Sequence, residues 1–225
     1  SFSHLIRVKF KIDRPTFSVM AVYSKWIAIS RVFNVMISKI DVLLINFFLS
    51  SYLAGIFSAA NRVTLVFSLL ISSLNTVVNP RFSAFDTKEK IRSYIKKLYV
   101  LIIPFAALML LMGVFAGPLI TFVYGEKYSY AIPVFRALTI SMIPYLFSII
   151  ITPSMLYSYG QSSIFAVVSS ARVVIMIVLE IILLPRFGVF SPAIANGTTN
   201  AIATLYLGIK LHKLLSKDPP KVVVS

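Results

Sequence analysis

Ser30, Arg31, Asn34, Ser38 and Asp41 recur mostly at intervals of three and four residues inside an otherwise apolar run. At ~100° per residue this spacing gathers them within one arc of a helix. A second run carries Asn61, Ser68, Ser72, Asn75 and Asn79 near one line, with Arg62 beside it. The chemistry open to these side chains is non-covalent. A guanidinium offers an anion a directional fork of donors, and amides and hydroxyls can exchange hydrogen bonds with a polyhydroxylated group. Two neighbouring helices with polar stripes in apolar surroundings imply a shared cavity that accepts something polar.

Further along, Ser169, Arg172, Met176 and Glu180 again keep helical spacing, so Arg172 and Glu180 could touch the same cavity or each other through a network. Lys39 falls on a different face from the first stripe. It lies two positions from Asp41, which does not make a side-by-side pair along a helix. Asp41 is better matched to Arg31 or to a cation on another helix. Each charge also has a plainer use: an ionic lock between helices, or a long side chain reaching out to lipid headgroups.

Bond-making chemistry finds little material. The chain has no cysteine, and His4 and His212 are far apart, so neither a disulfide framework nor a thiolate or histidine-led metal site is available. No nucleophile–base pair stands out. The chain is read as a non-enzyme with no cofactor and no metal.

The elements that must position these residues are membrane helices. Of the 225 residues 58% are hydrophobic and only 13% charged, and mean hydropathy is +0.90. A soluble domain needs a more polar surface. At ~20 residues per crossing the length accommodates about six spans. The formal charge of +15 would raise nucleic acid as a partner, but its distribution argues against one. Arg7 to Arg14, Arg81 to Lys97 and Lys210 to Lys221 form three basic groups that alternate with apolar hairpins. That is the pattern of cytoplasmic connectors under the positive-inside bias, with anionic membrane lipid as their neighbour.

The reading is all-α, a polytopic membrane protein with six transmembrane helices: a cytoplasmic lead-in at 1–16, a six-helix transmembrane region at 17–211 and a cytoplasmic tail at 212–225. The first span, about 17–48, would be about 46 Å long if fully helical, enough to tilt or to project from the membrane. A turn near 49–53 leads to a second span that begins with the small residues Ala54, Gly55, Ser58, Ala59 and Ala60, suited to close helix contact. The segment NPRFSAFDTKEKIRSYIKK ends this helix pair: Pro80 lacks a backbone donor, and the six basic residues that follow suit a cytoplasm-facing amphipathic connector. The third span, 98–124, has no charged residue and carries Pro104 and Pro118. The fourth, about 132–157, carries Pro144 and Pro153. A turn at Tyr159–Ser162 precedes a fifth span, and a sixth, near 192–209, bears Asn196, Thr199, Asn200 and Thr204 on a broad polar side.

The ordered set KIDVLLINFFLSSYLAGIFSAANRV, NPRFSAF, FVYGEKYSYAIPVFRAL and PRFGVFSPAIANG resembles the polysaccharide-exporter branch of the multidrug, oligosaccharidyl-lipid and polysaccharide exporter superfamily. It is similar, from about residue 17 to 215, to the second six-helix half of flippases for oligosaccharide repeat units. The resemblance implies one half of a two-half flippase fold. It also implies translocation of a prenyl-pyrophosphate-linked oligosaccharide across the cytoplasmic membrane of a bacterium or archaeon for surface polysaccharide synthesis, by alternating access around a central cavity. The prenyl-pyrophosphate-linked glycan and a missing N-terminal transporter half are the implied partners. The family's cationic cavity maps here onto Arg31, Lys39, Arg62 and Arg172, with Asp41 of the KID pattern pairing a cation or coupling an ion. Together with Asn34 and Asn61 these are the expected substrate-binding residues.

Other readings stay open at this stage. A peptidoglycan-precursor lipid flippase handles the same pyrophosphate–prenyl chemistry. A multidrug cation exporter of the same superfamily would need accessible acids, whereas the polar faces here are richer in arginine. An inactive membrane scaffold remains because half of the expected transporter is absent.

Overall fold

The computed structural model describes residues 39–216 and residue 218. Most of the first expected span, including Arg31 and Asn34, lies outside these residues. The chain divides into two compact units, Ser1–Asp41 and Val42–Ser225. Residues 39–41 of the first are helical, and the second opens on helical residues 42–48.

The expected turn follows. Ser50 has extended backbone, and its hydroxyl accepts the Leu53 N–H at 3.2 Å, which satisfies one of the unpaired donors at a helix start. Helix α1 then spans Ser51–Ser83. It passes through Pro80 and ends at Ser83, inside the 79–97 segment expected to close this pair of helices. Proline's fixed φ is compatible with helix, and the turn beyond it is anchored: Phe82 is fully buried against Phe85 and Tyr94, and Ser158 Oγ donates 2.7 Å to the Phe82 carbonyl. One lost backbone bond is offset by packing and a side-chain cap.

Helix α2, Lys88–Val114, carries Pro104 without interruption. The chain breaks at Phe115 and resumes as α3, Ala116–Tyr124, so the third expected span is two helices. Pro118 has no N–H for the Val114 carbonyl, which accounts for a break one turn earlier. The neighbouring Gly113 carbonyl accepts Arg136 Nε at 3.2 Å. Helix α4, Ala131–Pro153, ends in a wide π-type turn, Ser154–Ser158. Gly160, at φ +64°, then reverses the chain in the left-handed region that favours glycine. Helix α5, Ser162–Phe187, is joined through the 3-10 turn Gly188–Phe190 to α6, Ser191–Leu214.

Among the described residues four stretches are long and apolar enough to cross a membrane: Ser51–Ser83, Lys88–Val114, Ala131–Ser158 and Val167–Leu214. The last contains both α5 and α6, which pack on each other. The protein is therefore an all-α, multi-span membrane protein.

Helix α4 is the hub, packed against α1, α2 and α6. Half of its most apolar window is buried by other helices, against 17% for α2. Apolar residues of α2 such as Val100, Ile103 and Val114 are exposed, as suits a helix that faces lipid. Phe135 of α4 stacks on Phe67 of α1 at 6.3 Å. Helix α6 packs closely on α4 at Gly197, where a Cβ would stand 3.1 Å from Ser141 Cβ and 3.2 Å from its Cα. Only glycine fits that crossing without a shift.

The connectors sort to two ends. At one, Arg92 Nη2 donates 2.7 Å to the Leu215 carbonyl, and Asp218 accepts the Lys88 N–H at 3.2 Å while pairing with its ammonium at 3.8 Å. The basic first turns of α2, within the stretch expected to be a connector, and the basic end of α6 therefore meet, and the Ser158–Phe82 bond brings the end of α4 to the same place. At the other end, a Cβ on Gly188 would lie 3.9 Å from Leu49 Cδ1, so the turns near 50 and 188 are neighbours.

Candidate functional site

Helices α1, α4, α5 and α6 line a partly open cavity of about 310 Å³. Its polar wall comes from four places in the sequence: Asn75 and Asn79 from α1, Tyr145, Ser148 and Thr152 from α4, Ser169 and Arg172 from α5, and Asn200 and Thr204 from α6. Each set is one face of its helix. Asn75 and Asn79 are one turn apart, and Tyr145, Ser148 and Thr152 follow at three and four residues.

Arg172 is the charged group of this wall. Its Nη1 donates 2.7 Å to Asn200 Oδ1, and Asn200 Nδ2 donates 2.8 Å to Asn196 Oδ1. Asn200 is 5% exposed, so its amide is held by packing as well as by both bonds. The guanidinium carbon also lies 5.9 Å from the Tyr145 ring centroid, within cation–π range. One side of the cation is thus fixed by α6 and another by α4. Thr204 Oγ1 donates 3.0 Å to the Pro144 carbonyl, which ties α6 to α4 at the cavity edge. Among the described residues the wall has one cation and no carboxylate. An arginine so placed in apolar surroundings is costly unless it is hydrogen-bonded, and it leaves the cavity with positive character.

The expected site residues divide. Arg172 lines the cavity. Arg62 is exposed on α1, about 20 Å along the axis before Asn75, and is outside the wall, as is half-buried Asn61. Lys39 is exposed and Asp41 half-buried in the first unit. Arg31 and Asn34 lie outside the described residues. Glu180 is fully buried farther along α5 and is not part of this wall. The second polar stripe is split in use: Asn75 and Asn79 face the cavity, whereas Ser68 Oγ lies 3.8 Å from Met142 Sδ on α4. Tyr145, Ser148 and Thr152 were not singled out by the sequence, although their spacing marks one face of α4.

Among the described residues no group of three or more His, Cys, Asp or Glu is placed to hold a metal ion. The arrangement can bind an anion and hydrogen-bond to a polar group beside it.

Comparison with known proteins adds the family. The chain is 26% identical over 209 residues to a Haloferax volcanii protein described as a probable low-salt glycan biosynthesis flippase, Agl15. The match covers 89% of this chain and 42% of that relative, so the chain spans less than half of its length. No solved structure matches. A profile of polysaccharide biosynthesis proteins matches residues 2–133, more than half of the chain and the part that holds α1, α2 and α3. With its bundle of membrane-length helices, the chain belongs to the polysaccharide biosynthesis protein family.

Proposed function

We propose that this chain forms one half of a membrane flippase that moves a prenyl-pyrophosphate-linked oligosaccharide across the cytoplasmic membrane for surface polysaccharide synthesis. The observation that carries this reading is the cavity built around Arg172. It pairs one oriented cation with amides and hydroxyls inside a multi-span protein of a polysaccharide biosynthesis family. The obstacle to flipping such a lipid is its charged, hydrated headgroup, which hydrocarbon penalises heavily. Arg172 partly neutralises the pyrophosphate, with further N–H donors of its fork available to phosphate oxygens. Asn75, Asn79, Ser148 and Thr152 exchange hydrogen bonds with sugar hydroxyls.

At about 310 Å³ the cavity sits at the lower edge of ligand-binding size, enough for a phosphate-bearing portion and too small to enclose an oligosaccharide. A second half, carried elsewhere in the whole protein, supplies the remaining wall and closes against this one in an alternating-access cycle. The end where Arg92 meets Leu215 faces the cytoplasm, because the Arg81–Lys97 and Lys210–Lys213 groups gather there. A cation exporter is disfavoured by the absence of a carboxylate from the described wall.

The test is leaflet translocation of a labelled prenyl-pyrophosphate glycan in liposomes containing the whole protein. Translocation that falls when Arg172 becomes glutamine, at equal membrane abundance, supports the assignment. Undiminished translocation by that variant sinks it.

A further inference from the structure

A second cavity, of about 290 Å³, lies in the seam between α5 and α6. Its character differs from the first. Val167, Ile175, Ile202 and Tyr206 form its sides and are exposed, as are other lipid-facing residues of the bundle. Arg172, Val168 and Ala203 belong to the walls of both cavities. The seam is thin where they meet, because Ala171 and Ala203 add only a methyl each.

A polar chamber and an apolar groove that share one cation match the shape of an amphiphile: an anionic group joined directly to a hydrocarbon chain. We infer that the α5–α6 seam receives the hydrocarbon tail of the lipid whose anionic headgroup Arg172 binds, an inference that rests on the flippase reading above. The charge stays in the wet chamber, the first carbons of the tail pass beside Ala171 and Ala203, and the rest lies along Ile175 and Ile202 toward the membrane. Neither part crosses an environment that disfavours it. A larger apolar groove between α4 and α6 also borders the polar chamber, at Ile151 and Thr204, but among the described residues its cation, Lys213, stands nine residues beyond Thr204, about 13 Å along α6 from that border.

The whole protein in nanodiscs of fixed lipid composition provides the test, with two probes. One is inorganic pyrophosphate. The other is geranylgeranyl pyrophosphate carrying a photoreactive diazirine on its first isoprene unit. Illumination of the unaltered protein is expected to label Ile175, Ile202 or their neighbours in the seam. Label confined to the other groove, at Phe147 and Ile209, or spread evenly over the lipid-facing surface, would overturn the inference. Ala171→Trp, which fills the seam from outside the polar chamber, is expected to weaken binding of the tailed probe about tenfold and to leave pyrophosphate binding unchanged. Equal binding of the tailed probe by this variant also overturns it. Failure of the cavity reading itself looks different: Arg172→Gln then leaves pyrophosphate affinity unchanged, wherever the label falls.

Discussion

Arg62 and Arg172 look alike in the sequence, each a single guanidinium set among small, polar and apolar residues of a membrane helix. The structure separates them. Arg62 is exposed on α1, away from the cavity wall. Arg172 is half-buried, is held by Asn200 from α6 and Tyr145 from α4, and lines a partly open chamber with a polar wall. What distinguishes them is which other helices arrive beside them. A cation becomes part of a site when partners from distant segments fix its orientation and shield it from lipid and water.

Transport measurements sharpen that contrast most. Arg172→Gln is expected to lower headgroup binding and translocation by about ten- to a hundredfold, the scale of losing a charge-assisted contact in a partly enclosed site. Arg62→Gln is expected to stay within about twofold, as for an exposed charge. Lys90→Gln, in the exposed first turn of α2, serves as the control for surface charge. Equal losses at Arg62 and Arg172 would break the comparison and return Arg62 to the cavity.

How far this contrast was legible beforehand follows from the same physics. Apolar runs and their punctuation gave the helices: the Ser50 cap, the Gly160 reversal and the turn at Gly188 all fall where polar or glycine residues interrupt hydrophobic sequence. The local effect of each proline is not legible from its position. Pro80 and Pro118 carry the same backbone defect, yet α1 continues through Pro80 because Phe82 is buried and Ser158 caps its carbonyl, whereas the chain breaks before Pro118. Those outcomes depend on neighbours that are distant in sequence. Similarly, Asn75, Asn79 and Arg172 were visible as polar residues in apolar runs. Tyr145, Ser148 and Thr152 were hidden because a tyrosine or hydroxyl residue scarcely interrupts a hydrophobic helix. The contribution of α4 emerges only once the hub position of that helix is known.

Packing around the chamber supplies the next largest effect. Gly197→Val forces branched carbons into the 3.1 Å gap to Ser141. The expected cost is about 1–3 kcal/mol, read as a lower thermal midpoint in detergent, with loss of the α4–α6 crossing that holds Asn200 beside Arg172. An unchanged midpoint would mean that the two helices separate freely. That would undercut the claim that a rigid crossing orients the cation.

Asn200→Leu is a narrower cut at the same place. It keeps the number and branching of side-chain heavy atoms but removes the acceptor of Arg172 Nη1 and the donor to Asn196. Anion binding is expected to weaken by about three- to tenfold through a less well-oriented guanidinium, and Asn200→Asp should restore the acceptor while partly cancelling the positive charge. Titration with pyrophosphate separates the two. If both variants bind as the unaltered protein does, orientation by α6 contributes nothing.

The smallest effect belongs to an ion pair that resembles a site only by its short distance. Lys90 Nζ, in the first turn of α2, lies 2.7 Å from Asp86 Oδ1 in the connector before it, and both side chains are exposed. The hydrogen bond from the Lys90 ammonium holds the Asp86 carboxyl below its ordinary value. A depressed folded-state value means that the pair stabilises above the unfolded pKa, and that this is lost as pH falls through the lowered folded value, in the region below about pH 4. Lys90→Gln is therefore expected to raise the Asp86 titration midpoint, observable by carbon-detected NMR of labelled aspartate. The thermal midpoint at neutral pH should barely move, because water screens an exposed pair. A large loss of stability would show that this connector relies on its charges as strongly as the chamber does, and would erase the distinction between a short contact in water and an oriented cation inside the bundle.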